Sequence, residues 1–396
     1  MTERLYYDNA YLTAFDAQVL EVRPKGGQFD VLLDRSAFYP TSGGQPFDTG
    51  LLGGAQVVDV NVEDGLVWHT VAAPLAVGET VHGQIDWPRR FDHMQQHAGD
   101  HMIAGALRRM MGGVTIGLHI SEEVSTIDVA MPEGVTRISD EEIRRIELDV
   151  NEHIQRDVPI RCWFPSEEEL AALPLRKKPT VSEHVRIVAI GDDEMVACGG
   201  THPATAGQIG LVKILSVTPA RGKMRVAFVA GQRALRDYFH CHAAAHRAAE
   251  LLSAKVDGLS GSVAVLQEKL RLAEFELVRF KKEQLLSQTR QFVADAEMLP
   301  DGTKLIARFV DADAGLGKEL VSKLIEDTGL IVLIGAKNNG TVSYVFGRSA
   351  DVTADMGALL RDAARPLGGK GGGRPDFAQG GGCEEILAAA CEKLRG

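Results

Sequence analysis

Apolar and polar positions alternate with a period of two at the start of the chain. Gln18-Val-Leu-Glu-Val, Phe29-Asp-Val-Leu-Leu and Gln56-Val-Val-Asp-Val-Asn-Val follow this rhythm, which sends successive side chains to opposite faces of a strand. Turn residues punctuate the runs at Lys25-Gly-Gly-Gln and Glu63-Asp-Gly. Residues 1–88 therefore read as a β-rich domain, a small barrel or sandwich.

The period changes at Trp87-Pro-Arg-Arg. Met94, His97, His101, Ala104 and Leu107 recur at helical spacing, no proline interrupts residues 89–111, and Gly112-Gly113 ends the run. A strand pair follows over residues 114–131, with a turn near Glu122-Glu123. Ser139 with Glu142 is a capping-box signature for a helix reaching about Ile154. Strand patterns return at 185–190, 210–217 and 225–229. Residues 89–232 thus form a second, α+β module.

From 233 to 292 the texture is helical. Leu252, Val256, Leu259, Val263, Leu266, Leu270, Ala273, Leu277 and Phe280 keep the 4-3 spacing of a coiled-coil seam. Gly258 and Gly261 fall inside it, and each costs about 1 kcal/mol in a helix interior. The pattern therefore predicts an antiparallel helical hairpin turning at 257–261, with one continuous helix as the alternative. Residues 293–396 read as α/β, with strands at 304–309, 331–335 and 343–347 and helices at 317–328 and 384–394. Between them, residues 368–382 hold eight glycines in fifteen positions. The expected fold class is α+β and multidomain: a barrel-like N-terminal domain, a metal-binding module, a helical hairpin and an α/β C-terminal domain.

Composition narrows the function classes. The 396 residues are 45% hydrophobic, enough for several cores, and no run of about 18 apolar residues offers a membrane span. Met1-Thr-Glu-Arg-Leu-Tyr-Tyr-Asp has no basic-then-apolar leader, so a cytoplasmic location is expected. Five scattered cysteines make no disulfide framework. A net charge of -11 argues against indiscriminate nucleic-acid binding, so any basic face has to be local.

Two motifs carry chemistry. His97-Ala-Gly-Asp-His101 puts two imidazoles on one helical face. Cys198-Gly-Gly-Thr-His202 places a thiolate and an imidazole around a glycine turn. Together they offer three nitrogens and one sulfur, a set that suits Zn²⁺ better than Mg²⁺. His93 and His119 lie nearby. They read as ordinary core or surface histidines, or, for His93, as a hydrogen-bonding partner of a ligand imidazole.

In this order the two motifs resemble the editing domain of alanyl-tRNA synthetase and its free-standing relatives, the AlaX trans-editing proteins (long form). The resemblance extends to Phe38-Tyr-Pro-Thr-Ser-Gly-Gly-Gln-Pro-Phe-Asp-Thr-Gly50, to Asp86-Trp-Pro-Arg-Arg-Phe-Asp-His-Met-Gln-Gln-His97, and to the glycine-rich residues 368–382, which are similar to the DHH-associated domain ending those synthetases. It implies that His97, His101, Cys198 and His202 all bind Zn²⁺. It implies a stand-alone hydrolase acting in trans on tRNA(Ala) mischarged chiefly with serine, glycine being a further candidate. Neither an adenylate-forming domain, nor a Walker-type loop, nor the Asp-His-His metal motif is read in the chain, so neither aminoacylation nor phosphodiester cleavage is expected. The chain departs from the family at Asp100, where Thr or Gln is frequent; Asp100 reads as a pocket variant, a proton-transfer group or a solvent-facing change.

Serine differs from alanine by one hydroxyl, which a synthetic pocket cannot strongly reject. A pocket that hydrogen-bonds this hydroxyl disfavours alanine by about 1–3 kcal/mol. Thr41, Ser42, Gln45, Thr201 and Gly117-Leu-His119 are the candidates, and with Asp100 the catalytic set is Thr41, Gln45, Asp100 and Thr201. Whether the metal activates water or only positions substrate stays open, because four protein ligands normally mark a closed site. Phosphate contacts are expected from the basic stretch 221–247, especially Arg233 and Arg236, and from Lys281, Lys282, Lys370 and Arg374, with Phe377 stacking on a base. A homodimer through the hairpin or the C-terminal domain is the further partner expectation. The competing reading is a non-catalytic tRNA-binding protein with a structural zinc site. Cys162, Cys241, Cys383 and Cys391 carry no assigned chemistry.

Overall fold

The period-two stretches become six strands: β1 (Ala14–Lys25), β2 (Gln28–Leu33), β3 (Gly50–Leu52), β4 (Ala55–Glu63), β5 (Leu66–Val71) and β6 (Thr80–Ile85). In this computed structural model they close in the order β1-β2-β5-β4-β3-β6, every pair antiparallel. Closure removes sheet edges. The two-residue turn at Gly26-Gly27 has positive φ at both positions, as does Asp64-Gly65; this turn type matches the strand twist. Val19, Val31, Leu33, Val57, Val60, Val67, Val71 and Val81 fill the interior.

The structure describes residues 2–396 except 178, 180–183, 193, 221 and 339; the expected basic residue Arg221 lies outside the described set. The described chain forms two compact units, residues 1–247 and 248–396.

In the first unit the barrel leads into α1 (Trp87–Met111). The Asp86 carboxylate accepts from Arg89 N, Pro88 occupies the first turn, and Gly112 closes the helix at φ 71°. Residues 93–107 of this helix are buried without a break. Around it stand β7 (Val114–His119), β8 (Ser125–Ala130), the capped helix α2 (Asp140–Gln155), and β9 (Ile160–Trp163), β10 (Ile187–Ile190), β11 (Glu194–Ala197), β12 (Val212–Ala220) and β13 (Lys223–Ala230). One sheet runs β12-β13-β8-β7 and the other β9-β10-β11. Ile103, Leu107, Ile127, Ile146, Val188, Val212 and Phe228 share their core.

In the helical stretch two helices form, α3 (Gln232–Leu251) and α4 (Leu259–Ser287). The break spans residues 252–258, overlapping the start of the expected turn, and Gly261 lies inside α4. Leu266, Leu270, Leu277 and Phe280 are 54–59% exposed.

The second unit carries β14 (Glu297–Met298), β15 (Lys304–Asp311), α5 (Ala314–Leu324), β16 (Leu330–Asn338), β17 (Thr341–Arg348), α6 (Met356–Ala364), β18 (Lys370–Gly373), β19 (Phe377–Gly381) and α7 (Glu385–Arg395). The sheet order is β14-β15-β16-β17-β19-β18, with only β15 and β16 parallel. The glycine-rich stretch is thus a β-hairpin. Its glycines admit close packing under α6: a Cβ on Gly371 would come within 2.7 Å of Leu360 Cγ, and one on Gly357 within 2.6 Å of the Gly373 carbonyl.

Candidate metal centre

The helical spacing of α1 brings His97 and His101 together, with ring centroids 5.2 Å apart. Cys198 follows β11 directly, and Gly199-Gly200 turn the chain so that the His202 ring lies 4.6 Å from each. One ligand atom from each of the four residues falls within 4.8 Å of all the others. Cys198 Sγ is 3.4 Å from His97 Nε2 and 3.3 Å from His202 Nε2. A tetrahedral zinc with its usual bond lengths sets S–N edges of roughly 3.5 Å. Donor type and spacing therefore fit a zinc-sized ion.

Electrostatics favour the same reading. Burial, helped by Arg186 and His93, pushes His97 down to about 3, and burial holds His101 and His202 well below the ordinary imidazole range. Burial raises the Cys198 thiol to about 12. Without a cation the cluster is neutral; a bound cation is what draws off the thiol proton.

Gln45, expected to face substrate, instead supports a ligand imidazole. It is fully buried, on the loop between β2 and β3. Thr201 N–H donates to its Oε1 at 3.2 Å, and a backbone N–H can only donate. Oε1 is therefore an acceptor, so His97 Nδ1, 2.8 Å away, carries the proton and leaves Nε2 for a metal. Gln45 Nε2 donates to Thr201 Oγ1 at 2.8 Å. Gln45 is thus bonded to protein partners on both ends of its amide, and Thr201 is fully buried beside it. Gly200 sits against the same ring: a Cβ there would lie 2.1 Å from His97 Cε1.

The loop that carries Gln45 is anchored by an ion pair the sequence reading did not single out. Arg90 and Asp48 are both 0% exposed. Arg90 Nε lies 2.9 Å from Asp48 Oδ2, and its amino groups donate to the Ala10 and Ala37 carbonyls at 2.8 and 2.6 Å. Arg186 was missed as well. Its Nη1 donates to the Cys198 and Gly200 carbonyls at 3.1 and 2.8 Å, holding the glycine turn. Arg186 has no local motif, and the structural role of each arginine is recognisable only through partners distant in sequence.

The remaining candidates separate. Thr41 is exposed on the same loop, and its Oγ1 accepts from Phe47 N at 3.2 Å. Asp100 is buried rather than solvent-facing, with Oδ1 unpartnered, and burial raises its carboxyl to about 7. Arg233, expected at a phosphate, is buried: it pairs with Asp92 at 2.6 Å and donates to the Ser121 carbonyl at 2.7 Å, tying α3 to α1. Arg236 is exposed. Lys281 and Lys282 pair with Asp311 and Glu319 at 3.0 and 2.7 Å. Lys370 is exposed, and Arg374 is 79% exposed with Asp376 at 3.2 Å. Phe377 packs on the core of the second unit rather than standing free.

Comparison with known proteins identifies similar families and chains. Residues 2–89 match the family of class II (A) tRNA synthetases, residues 185–226 the second additional domain of threonyl and alanyl tRNA synthetases, and residues 302–396 the DHHA1 domain. An alanine–tRNA ligase of Halorubrum lacusprofundi is 33% identical over 100% of this chain; the chain spans 44% of that ligase's length. A solved C-Ala domain from the Aquifex aeolicus alanyl-tRNA synthetase matches 26% of this chain and 95% of its own at 23% identity, with a TM-score of 0.23. The alanyl-tRNA editing protein AlaX-L of Pyrococcus horikoshii is 30% identical over 100% of this chain and 99% of its own length. With similarity running end to end along that protein, the chain belongs to the AlaX-L family of alanyl-tRNA editing proteins.

Proposed function

We propose that this protein hydrolyses, in trans, the ester joining serine, and secondarily glycine, to the 3′ end of tRNA(Ala). The observation that carries the reading is the convergence of His97, His101, Cys198 and His202 in a chain similar to AlaX-L over its whole length. These four residues would hold Zn²⁺, which when bound supplies Lewis-acid polarisation of an ester or a water. Gln45 orients His97 toward it, and Arg186 keeps Cys198 and His202 in register. Thr41, exposed on the glycine-rich loop, is the group we assign to the serine hydroxyl; Asp100 brings a buried carboxylate to the same helix face. Arg236, Lys370 and Arg374 are the exposed cations we assign to tRNA phosphates. The exposed seam of α4 suits a second copy of the chain, giving a homodimer. We place the protein in the cytoplasm; no helix among the described residues is long and apolar enough to cross a membrane.

A second reading has one observation in its favour: four protein ligands complete a tetrahedron, as in structural sites. The deciding experiment is deacylation of serine-charged tRNA(Ala), with alanine-charged tRNA(Ala) alongside. Rapid loss of serine with alanine retained supports the hydrolase. Retention of both by folded, zinc-loaded protein leaves a tRNA-binding protein with a structural metal.

A further inference from the structure

Helix α1 carries buried polar atoms that no group among the described residues satisfies. His93 is 2% exposed, its Nδ1 has no partner, and among the described residues neither ring nitrogen makes a hydrogen bond. Asp100 Oδ1 is likewise buried and unpartnered. At 3.6 residues per turn, His93, His97 and Asp100 fall within about 60° of one helix face, and Arg89 extends that stripe by about 20°. A buried polar atom without a partner is uncommon in a native protein and calls for a ligand, water or strain to explain it. Here such atoms lie on either side of His97 along one stripe.

The charge around His93 is cationic. Arg89, Arg90 and Arg233 are the ionised groups acting on it. Two of these are already neutralised: Arg90 by the buried Asp48 and Arg233 by Asp92. Arg89 is not. Its Nε donates to the Phe47 carbonyl at 3.2 Å, and its carboxylate neighbour is the 88% exposed Glu122 at 4.0 Å. The stripe therefore has one guanidinium held only by a carbonyl and an exposed carboxylate, and one imidazole that makes no hydrogen bond among the described residues. Both lie one to two turns N-terminal of His97.

Resting on the deacylase reading above, we propose that His93 and Arg89 seat the 5′-phosphate of the 3′-terminal nucleotide of the charged tRNA. The spacing suits the chemistry. His93 lies four residues, about 6 Å of helix rise, from His97. The scissile ester sits on the 2′/3′ edge of the terminal ribose and the phosphate at its 5′ edge, so one sugar separates them. A neutral imidazole donor beside an arginine is a suitable receptor for a phosphodiester oxygen.

The test uses two non-hydrolysable probes on the full zinc-loaded chain: the serine amide of 3′-amino-3′-deoxyadenosine, and the same compound carrying a 5′-phosphate. The phosphate is expected to tighten binding at least about tenfold, the scale of a charge-assisted contact. His93→Leu and Arg89→Met each cancel most of that gain, while zinc content and affinity for the unphosphorylated probe stay within about twofold. His93→Gln, which keeps an N–H donor, retains part of it. Equal affinity of the unmodified protein for both probes overturns the phosphate seat. So does a His93→Leu loss falling equally on both probes, which marks a nucleoside contact instead. Binding of neither probe to zinc-loaded protein overturns the deacylase reading itself.

Discussion

Gln45→Leu removes an acceptor from the base of the metal centre while keeping similar volume. Two donors lose their partner: His97 Nδ1–H, 2.8 Å from Oε1, and Thr201 N–H, at 3.2 Å. Both sit where Gln45 and Thr201 are fully buried, so water does not replace the lost bond. A buried unpaired donor costs about 1–3 kcal/mol. Loss of the group that fixes a ligand imidazole typically lowers metal affinity about 10–100-fold. We therefore expect zinc affinity, measured by competition with a chromophoric chelator, to fall by about one to two decades. Gln45→Glu keeps an acceptor for both donors, and its zinc affinity should stay within about threefold of the unmodified protein. Because the readout is the metal, the result does not depend on whether the protein turns over substrate. If Gln45→Leu takes up zinc as tightly as the unmodified protein, Gln45 does not set the tautomer of His97 and the reasoning fails.

Three further outcomes follow from the same geometry. Gly200→Ala drives a methyl to 2.1 Å from His97 Cε1, so zinc binding should be lost while circular dichroism still reports the fold; retained stoichiometric zinc would contradict the packing. Arg90→Met leaves the Asp48 carboxylate buried without its cation and should lower stability to urea by about 3–5 kcal/mol, most of it restored by adding Asp48→Leu; a loss under about 1 kcal/mol would mean the pair is not needed. His69 is fully buried against Ser36 Oγ at 2.7 Å, and burial pushes it down to about 4. The unfolded chain takes up that proton near pH 6.5, so stability present above 6.5 drains as pH falls toward 4, by about 3 kcal/mol at most. His69→Gln should flatten that slope in denaturant titrations, and an unchanged slope would assign it to other groups.

The parts of this architecture governed by short-range rules were legible from the chain. Alternation and Gly-Gly or Asp-Gly turns marked the barrel hairpins, and Trp87-Pro with Gly112-Gly113 bracketed α1. The i, i+4 histidines needed only helix geometry to meet. The short strands β9 and β11 were not read, since four residues carry too little periodicity. The 4-3 spacing along α4 reports that a helix wants a partner, not whether the same chain or a second copy supplies it. The glycine-rich hairpin was read only for its Lys370, Arg374 and Phe377, because nothing local reveals that α6 lies on it. Arg233 has the sequence context of a surface cation; only Asp92, on another helix, makes it a buried strut. Gln45 was read as facing substrate because its loop is polar, whereas its partners lie 52 and 156 residues away.

That spread of separations has a kinetic meaning. His97 and Cys198 are 101 residues apart, and Gln45, on a barrel loop, bonds to both His97 and Thr201. Loop-closure entropy has to be met before such contacts return any stabilisation. The hairpins of the barrel and the turns of α1 can form locally and early. The metal centre cannot exist until barrel, helix and the turn after β11 have docked, so it is assembled at the native end of folding. Interactions absent from the transition state slow unfolding and leave the folding rate alone. Zinc captured there would act as a latch on a structure already made, lengthening the life of the native state without hastening its arrival.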